Sequence, residues 1–159
     1  MQNDSFQHLI LGRHAILDLW GCSQKIMQDT AYLRDLAFKA AELAKTTVLG
    51  SIEKSFEPQG FTIVLLLAES HLSLHTWPEH TFASIDLYSC NLETDFGAVC
   101  TFLETGFEAQ SKQLSILDRQ IPGQITDPSI SMYANQNGGS LAQQGIDFEQ
   151  PSLRREVFR

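Results

Sequence analysis

Hydrophobic and polar residues alternate in short stretches that predict β-strands, interrupted by two stretches with helical spacing. Apolar residues at three- and four-residue intervals predict one helix over 24–45, capped by Ser23 or Asp29, and a second over 96–105. The resulting order, β-α-β-β-β-β-α-β, predicts an α+β fold: a two-layer sandwich with an antiparallel sheet and helices packed on one face. The predicted strands are residues 8–20, 46–56, 61–68, 72–76, 81–90 and 112–117.

The composition changes at residue 118. From there Gln, Pro, Gly, Ser and Asn dominate, and 136–140 has the composition of a flexible linker. We therefore predict one domain over 1–117, followed by a polar C-terminal tail over 118–159 that is extended or partly disordered.

Charge, hydropathy and cysteine spacing exclude several classes of partner and site. A net charge of −8 and a pI near 5.0 argue against binding to a nucleic-acid backbone. No apolar run has the length of a membrane span, and the polar start does not resemble a signal peptide. The three cysteines, Cys22, Cys90 and Cys100, form no CxxC pair, so neither a disulfide framework nor a zinc ribbon is expected. These features predict a cytoplasmic protein without nucleic-acid or membrane partners.

Polar residues concentrate in 68–79, directly after the apolar run 63–67. A fold does not need so many hydroxyls, imidazoles and carboxylates after a core strand, because each must find a partner or remain hydrated. Within this stretch, Ser70 is a candidate nucleophile that would attack its own preceding carbonyl if the peptide were strained and a base lay nearby. A turn serine is the commoner explanation for one residue of this kind.

Histidines are the second candidate group. His75 is a candidate general acid or base, since imidazole titrates near neutral pH, although an inert core or interface histidine has the same spacing. His71, His75 and His80 suggest metal ligation, but no further ligand at a persuasive spacing joins them. We therefore predict no metal site.

The remaining candidates are a thiol, two aromatic rings and a carboxylate. Cys90 closes a predicted strand and could donate a proton, whereas a buried inert cysteine is more common. Phe56 and Trp77 flank turns, where they could stack on a flat ligand ring or belong to the core. Glu79 could accept hydrogen bonds from ligand hydroxyls, or be a solvated turn residue.

The run Leu67–Glu79, LAESHLSLHTWPE, closely resembles the processing segment of the bacterial and archaeal S-adenosylmethionine decarboxylases. Further matching blocks occur in the same order, and the resemblance extends over roughly residues 9–117. These blocks are Gly12–His14, Asp18–Cys22, Thr47–Gly50, Phe56 with Pro58 and Gly60, and Ala83–Cys90.

The resemblance implies a proenzyme that cleaves itself between Glu69 and Ser70, giving a β chain of residues 1–69 and an α chain that begins at 70. Ser70 would become a pyruvoyl group, the cofactor that forms a Schiff base with the substrate and accepts the electrons released with CO₂. By the same resemblance, His75 is the acid/base of processing and Cys90 is the proton donor in catalysis.

The family also implies the substrate and the assembly. S-adenosylmethionine would bind through Phe56, Trp77 and Glu79, with adenine on Phe56 and the ribose hydroxyls on Glu79. The product, decarboxylated S-adenosylmethionine, is the aminopropyl donor for spermidine and other polyamines. Short members of the family form homodimers whose active sites draw on both subunits. Thr62 stands where the family usually has a serine that supports processing.

Two alternatives remain. The same scaffold could act on arginine or ornithine, but Phe56 and Glu79 would then have no nucleoside to bind. The second alternative is an unprocessed homologue that only binds a ligand. The presence of Ser70, His75 and Cys90 argues against this alternative.

Overall fold

The computed structural model describes residues 10–120, which form six strands, three α-helices and one 3-10 turn. The helices follow strands β1 and β5, and the 3-10 turn joins β4 to β5. The strands are β1 Ile10–Trp20, β2 Val48–Ser55, β3 Phe61–Leu67, β4 Ser70–Trp77, β5 Phe82–Ser89 and β6 Ser111–Gln120; the helices are α1 Gln24–Met27, α2 Thr30–Leu43 and α3 Phe96–Gly106, and the 3-10 turn is Pro78–His80.

All six strands belong to one sheet with the order β2-β3-β4-β5-β1-β6, and every neighbouring pair is antiparallel. Strands β2 to β5 follow one another as a meander. Along the chain, helices α1 and α2 connect β1 to β2, which is one edge strand of the sheet. Helix α3 connects β5 to β6, which is the other edge strand. The antiparallel α+β architecture predicted from the hydrophobic pattern is confirmed.

The helices cover one face of the sheet. In β4 the alternate residues Leu72, Leu74 and Thr76 are buried, whereas those between them are only half-buried. The buried side chains of β1, β3, β4 and β5 form one core with those of the helices, among them Leu33 and Leu103. Because burying one large apolar side chain contributes about 1.5–3 kcal/mol, this layer of contacts holds the sandwich together. The helices therefore pack on one face, as predicted.

The other sheet face, which we call the open face, has no helix over it in the described part of the chain. Side chains directly opposite each other in antiparallel strands share a face. The strand register therefore shows which residues of the open face lie side by side across the sheet, in rows. One row is Leu66, His71, Tyr88 and His14, and the next contains Ile52, Val64, Ser73, Asp86 and Ile16. Several of these residues are large and apolar, and Ile52 and Leu66 are 73% and 57% exposed.

The helix predicted over 24–45 is two helices. Helix α1 ends at Met27, and α2 begins at Thr30 with the Asp29 side chain accepting a hydrogen bond from Tyr32 N–H at 2.9 Å. Apolar spacing continues through this point, but an aspartate that caps the next helix competes with helical continuation. No described helix is long and apolar enough to cross a membrane.

Two predicted boundaries shift. The break expected at 69–71 is a turn at Ala68 and Glu69, and β4 already begins at Ser70. Strand β6 runs to Gln120 because its residues continue to pair with β1, so the first three residues of the predicted tail belong to the sheet. The remainder of the tail lies outside the described residues.

Candidate active site

The predicted site residues fall into two groups at opposite ends of β4. His75 is five residue steps from Ser70 along the extended strand, a distance of about 17 Å. Within one chain the candidate nucleophile and the candidate base are therefore apart. We call the first group, Glu69, Ser70, His71 and Cys90, the cleavage cluster, and the second group, Phe56, Thr62, His75, Trp77 and Glu79, the binding cluster.

In the cleavage cluster, Glu69 is fixed by hydrogen bonds at both its backbone and its side chain. Its carbonyl oxygen accepts the N–H of Cys90 at 3.0 Å, and its Oε2 accepts the N–H of Thr47 at 2.9 Å. Ser70 follows directly and pairs with Leu67 and Ser89 on the two neighbouring strands. The Glu69–Ser70 peptide bond is thus held at the end of the sheet.

Ser70 has an unusual backbone conformation. Its φ is +152°, in a region that residues with a Cβ rarely adopt and that costs of order 1–3 kcal/mol. The Ser70 hydroxyl lies 3.2 Å from Nδ1 of His71. From the sequence, His71 is a candidate only for metal ligation, whereas the family resemblance assigns the acid/base role in processing to His75; the signal for His71 is its position next to Ser70.

Cys90 differs from the other two cysteines. It is exposed and follows Ser89, the β5 partner of Ser70, so it lies beside the Glu69–Ser70 bond. Cys22 and Cys100 are buried, and burial raises the pKa of each thiol to about 11. Because buried thiols of raised pKa are poor proton donors at neutral pH, Cys90 is the thiol available for chemistry.

The binding cluster surrounds a cavity of about 380 Å³. Within it, Thr62 Oγ1 and His75 Nδ1 form a hydrogen bond at 2.9 Å across the β3–β4 pair. The cavity therefore combines aromatic rings, a carboxylate and an oriented imidazole. Its lining residues are Phe56, Gln59, Gly60, Thr62, His75, Thr76, Trp77 and Glu79.

The β2–β3 loop brings Phe56 to this cavity. Phe56 N–H donates to the carbonyl of Gly60 at 2.9 Å, and Gly60 has a φ of +108°. A Cβ on Gly60 would lie 3.2 Å from the carbonyl oxygen of Thr76, so glycine allows both the turn and the close approach. The Phe56 side chain remains half exposed, so a ligand can reach it.

An aromatic row on the open face adjoins His75. The ring centroids of Trp77 and Phe82 are 5.4 Å apart, and those of Phe82 and Trp20 are 5.7 Å apart. The His75 ring lies 6.1 Å from Trp77. Contacts of this kind favour a fixed ring orientation, which positions Trp77 at the cavity edge.

The histidines considered as metal ligands do not converge on one site. His71 and His75 share the open face, but their Nδ1 atoms contact Ser70 and Thr62 respectively. Among residues 10–120 no group of three His, Cys, Asp or Glu side chains could hold a metal ion.

Comparison with known proteins gives a consistent set of relatives. A family model described as S-adenosylmethionine decarboxylase matches residues 13–120. The S-adenosylmethionine decarboxylase proenzyme of Parasynechococcus marenigrum (strain WH8102) is 40% identical over 118 residues, covering 74% of this chain and 92% of the relative. That of Brevibacillus brevis is 42% identical over 127 residues, covering 79% and 96%. The crystal structure of the adenosylmethionine decarboxylase from Aquifex aeolicus superposes with a TM-score of 0.66 at 30% identity, covering 74% of this chain and 98% of that one.

Proposed function

The chain belongs to the S-adenosylmethionine decarboxylase family, and from this membership we propose that it is a self-processing enzyme that converts S-adenosylmethionine to its decarboxylated form and CO₂. The observation that carries the proposal is the Glu69–Ser70 bond, whose carbonyl is hydrogen-bonded to the Cys90 N–H beside a strained serine. The relatives are named S-adenosylmethionine decarboxylases, and nothing favours an arginine or ornithine decarboxylase or a non-catalytic homologue.

Self-cleavage begins with attack of Ser70 Oγ on the Glu69 carbonyl carbon. The carbonyl oxygen gains negative charge in this step, and the Cys90 N–H that already donates to it stabilises that charge. When the C–N bond breaks, the Glu69 acyl group is left on Ser70 Oγ as an ester and the Ser70 nitrogen becomes an amine. Release of the strained Ser70 conformation favours this rearrangement.

His75 acts on the ester. It removes the proton on Ser70 Cα, the Glu69 carboxylate leaves, and the resulting dehydroalanine hydrolyses with loss of ammonia. Thr62 Oγ1 fixes the His75 ring through its 2.9 Å bond to Nδ1, which leaves Nε2 to take the proton. Thr62 thus serves in place of the family's usual serine.

The residues around position 70 fit a pyruvoyl group. The pyruvoyl group would form at the start of β4, next to the exposed thiol of Cys90. Because it would be covalently part of the chain, it would need no separate binding pocket. A pyruvoyl group supplies a ketone that binds the substrate amine and accepts the electron pair released with CO₂. Cys90 Sγ then returns a proton to the substrate carbon that has lost CO₂.

The separation of about 17 Å between Ser70 and His75 along β4 supports an active site that is shared between two subunits. We propose a homodimer in which two open faces pack together, so that the binding cluster of one subunit completes the cleavage cluster of its partner. The large exposed side chains of the open face, among them Ile52 and Leu66, support this arrangement, because a monomer rarely leaves an extended apolar patch in water. A two-fold axis would create two identical composite sites.

A mixture of two inactive chains tests the composite site. We expect Ser70→Ala and His75→Ala chains to remain uncut when expressed alone, since each lacks one group needed for cleavage. When they are co-expressed with different tags, the heterodimer contains one intact site, made of Ser70 from the His75→Ala chain and His75 from the Ser70→Ala chain. Random pairing then predicts cleavage of about half of the His75→Ala chains and of none of the others. A denaturing gel resolves the tagged fragments.

Two outcomes of this experiment distinguish a composite site from a site within one subunit. Cleavage confined to the His75→Ala chain supports the composite site, because only that chain retains its serine. If the mixture stays uncut although sedimentation shows heterodimers, Ser70 and His75 must meet within one subunit, and the dimer proposal fails.

Glu79→Gln is expected to weaken substrate binding while leaving self-cleavage intact. A carboxylate that accepts hydrogen bonds from ribose hydroxyls contributes about 1.5–3 kcal/mol, so KM for S-adenosylmethionine should rise roughly 10-fold to 100-fold. Steady-state CO₂ release measures KM, and a gel checks cleavage. Glu42→Gln, an exposed carboxylate on α2 away from the cavity, is the matched control. An unchanged KM for Glu79→Gln would remove Glu79 from the substrate site.

A further inference from the structure

Cleavage requires a base for each of two different protons. The first is the hydroxyl proton of Ser70, which must leave Oγ as the ester forms, and the second is the proton on Ser70 Cα, which must leave in the elimination. His75 is assigned to the second and lies about 17 Å from Ser70 within the same subunit. Within the described part of the chain, the imidazole at hydrogen-bond distance from the Ser70 hydroxyl is that of His71.

We propose that His71 is a catalytic residue of self-cleavage, the base that accepts the Ser70 hydroxyl proton in the ester-forming step. Its Nδ1 lies 3.2 Å from Ser70 Oγ, which is hydrogen-bond distance to the reacting atom. This inference rests on the proposed self-cleavage and adds a second histidine to it. The two histidines act in turn: His71 forms the ester, and His75 eliminates it.

The surroundings of His71 hold its ring in place. On β4 it lies between Leu66 of β3 and Tyr88 of β5, with its ring centroid 6.1 Å from Tyr88 and 6.2 Å from His14. Tyr88 in turn lies over Gly12, where a Cβ would come within 2.8 Å of its ring. These contacts fix the imidazole edge that faces Ser70.

The neighbouring histidine has another partner. His14 Nε2 lies 3.2 Å from Asp86 Oδ1, and Asp86 Oδ2 also accepts the Ser73 hydroxyl at 3.4 Å. His14 is therefore bonded away from Ser70 and serves as packing for His71. For Nδ1 of His71 to accept the serine proton, the neutral ring must carry its own proton on Nε2.

The step is balanced in protons and electrons. Ser70 Oγ gives its proton to His71 Nδ1 and forms a bond to the Glu69 carbonyl carbon, whose π electrons move to the oxygen facing the Cys90 N–H. Those electrons return as the bond from the carbonyl carbon to the Ser70 nitrogen breaks, and that nitrogen takes the proton back from Nδ1. The products are an ester and a free amine, with no net proton change and no co-reactant.

Because His71 and Ser70 belong to the same chain, ester formation needs no residue from the partner. A chain that lacks His75 should therefore stop at the ester, whereas a chain that lacks His71 should stop one step earlier, as the amide. Hydroxylamine cleaves esters and leaves amides intact, so it distinguishes the two stalled species.

The experiment compares full-length His71→Ala, His71→Asn, His75→Ala and His80→Ala chains, each purified and analysed on denaturing gels with and without hydroxylamine. We expect His75→Ala to be cut between residues 69 and 70 only by hydroxylamine. His71→Ala should remain uncut in both lanes, with spontaneous cleavage slowed about 10²-fold to 10⁴-fold. His80→Ala, an exposed histidine outside both clusters, should cleave as the unaltered chain does.

Two further measurements distinguish a role of His71 as a base from a role in packing alone. Free imidazole added to His71→Ala should restore cleavage if the missing group is a base, and would have no effect if only packing were lost. His71→Asn keeps an acceptor near Oγ but no base, so it should remain slow. Normal cleavage of His71→Asn, or hydroxylamine-sensitive ester in folded His71→Ala, overturns the proposal for His71.

Failure of the proposed function gives a different pattern. In that case the unaltered chain would itself remain uncut and resistant to hydroxylamine. Circular dichroism checks that each variant is folded, and if His71→Ala is not, His71→Asn provides the same comparison of ester against amide.

Discussion

Replacing Ser70 by alanine is expected to leave one uncut polypeptide without decarboxylase activity. In the proposed mechanism the change removes the oxygen that attacks the Glu69 carbonyl and with it the source of the pyruvoyl group, so we expect both self-cleavage and catalysis to be lost, by at least roughly 10⁴-fold. Intact mass spectrometry provides the measurement. The unaltered chain should yield fragments of residues 1–69 and 70–159, the second lacking the serine amine, while the variant keeps its full-length mass.

The matched control is Ser73→Ala, a serine on the same strand that bonds Asp86 rather than the cleavage cluster. It should still cleave. Borohydride should inactivate the unaltered enzyme, because it reduces a ketone, and should find no ketone in Ser70→Ala. If the Ser70→Ala chain released CO₂ from S-adenosylmethionine at the normal rate, the catalyst would have to be another group, and the proposed mechanism would be wrong.

The fold follows from hydrophobic patterning because one sheet face is buried and the other is not. Strand β4 illustrates this: Leu72, Leu74 and Thr76 form the buried set, and a shift of one residue would expose all three. Such a pattern is strong enough to identify strands and their order. It predicts helix breaks poorly, as at Asp29, where one capping side chain outweighs continuous apolar spacing.

The candidate site was only partly predictable. Family resemblance suggests Ser70, His75 and Cys90 as site residues, but five residue steps along an extended strand separate the first two along β4. Sequence spacing gives that separation only once the strand is known to be continuous through Ser70. The break that the sequence predicts at 69–71 leaves this separation undefined.

The contact between His71 and Ser70 could not be inferred from the pattern either. Neighbouring side chains in a regular strand point to opposite faces, so Ser70 and His71 would not be expected to bond. They do so because Ser70 has a φ of +152°, next to a Glu69 carbonyl that accepts the N–H of Cys90, 21 residues after Glu69 in the chain. A local contact thus depends on a pairing that is distant in sequence.

The same pairing gives the backbone and the side chain of Cys90 different surroundings. Its backbone N–H donates to the Glu69 carbonyl, whereas its thiol is exposed beside position 70. A change confined to the side chain should therefore affect decarboxylation and spare cleavage, because any residue except proline keeps the N–H.

Cys90→Ala is accordingly expected to cleave itself at nearly the normal rate and to decarboxylate S-adenosylmethionine about 10²-fold to 10⁴-fold more slowly, the usual contribution of a positioned acid. A gel follows cleavage, and release of labelled CO₂ follows catalysis in the same preparation. Cys90→Ser, with a weaker acid of similar size, should cleave as well and decarboxylate poorly. Decarboxylation by Cys90→Ala at the normal rate would show that another group returns the proton. Loss of cleavage in a folded Cys90→Ala chain would instead show that the thiol, and not only the N–H, takes part in breaking the Glu69–Ser70 bond.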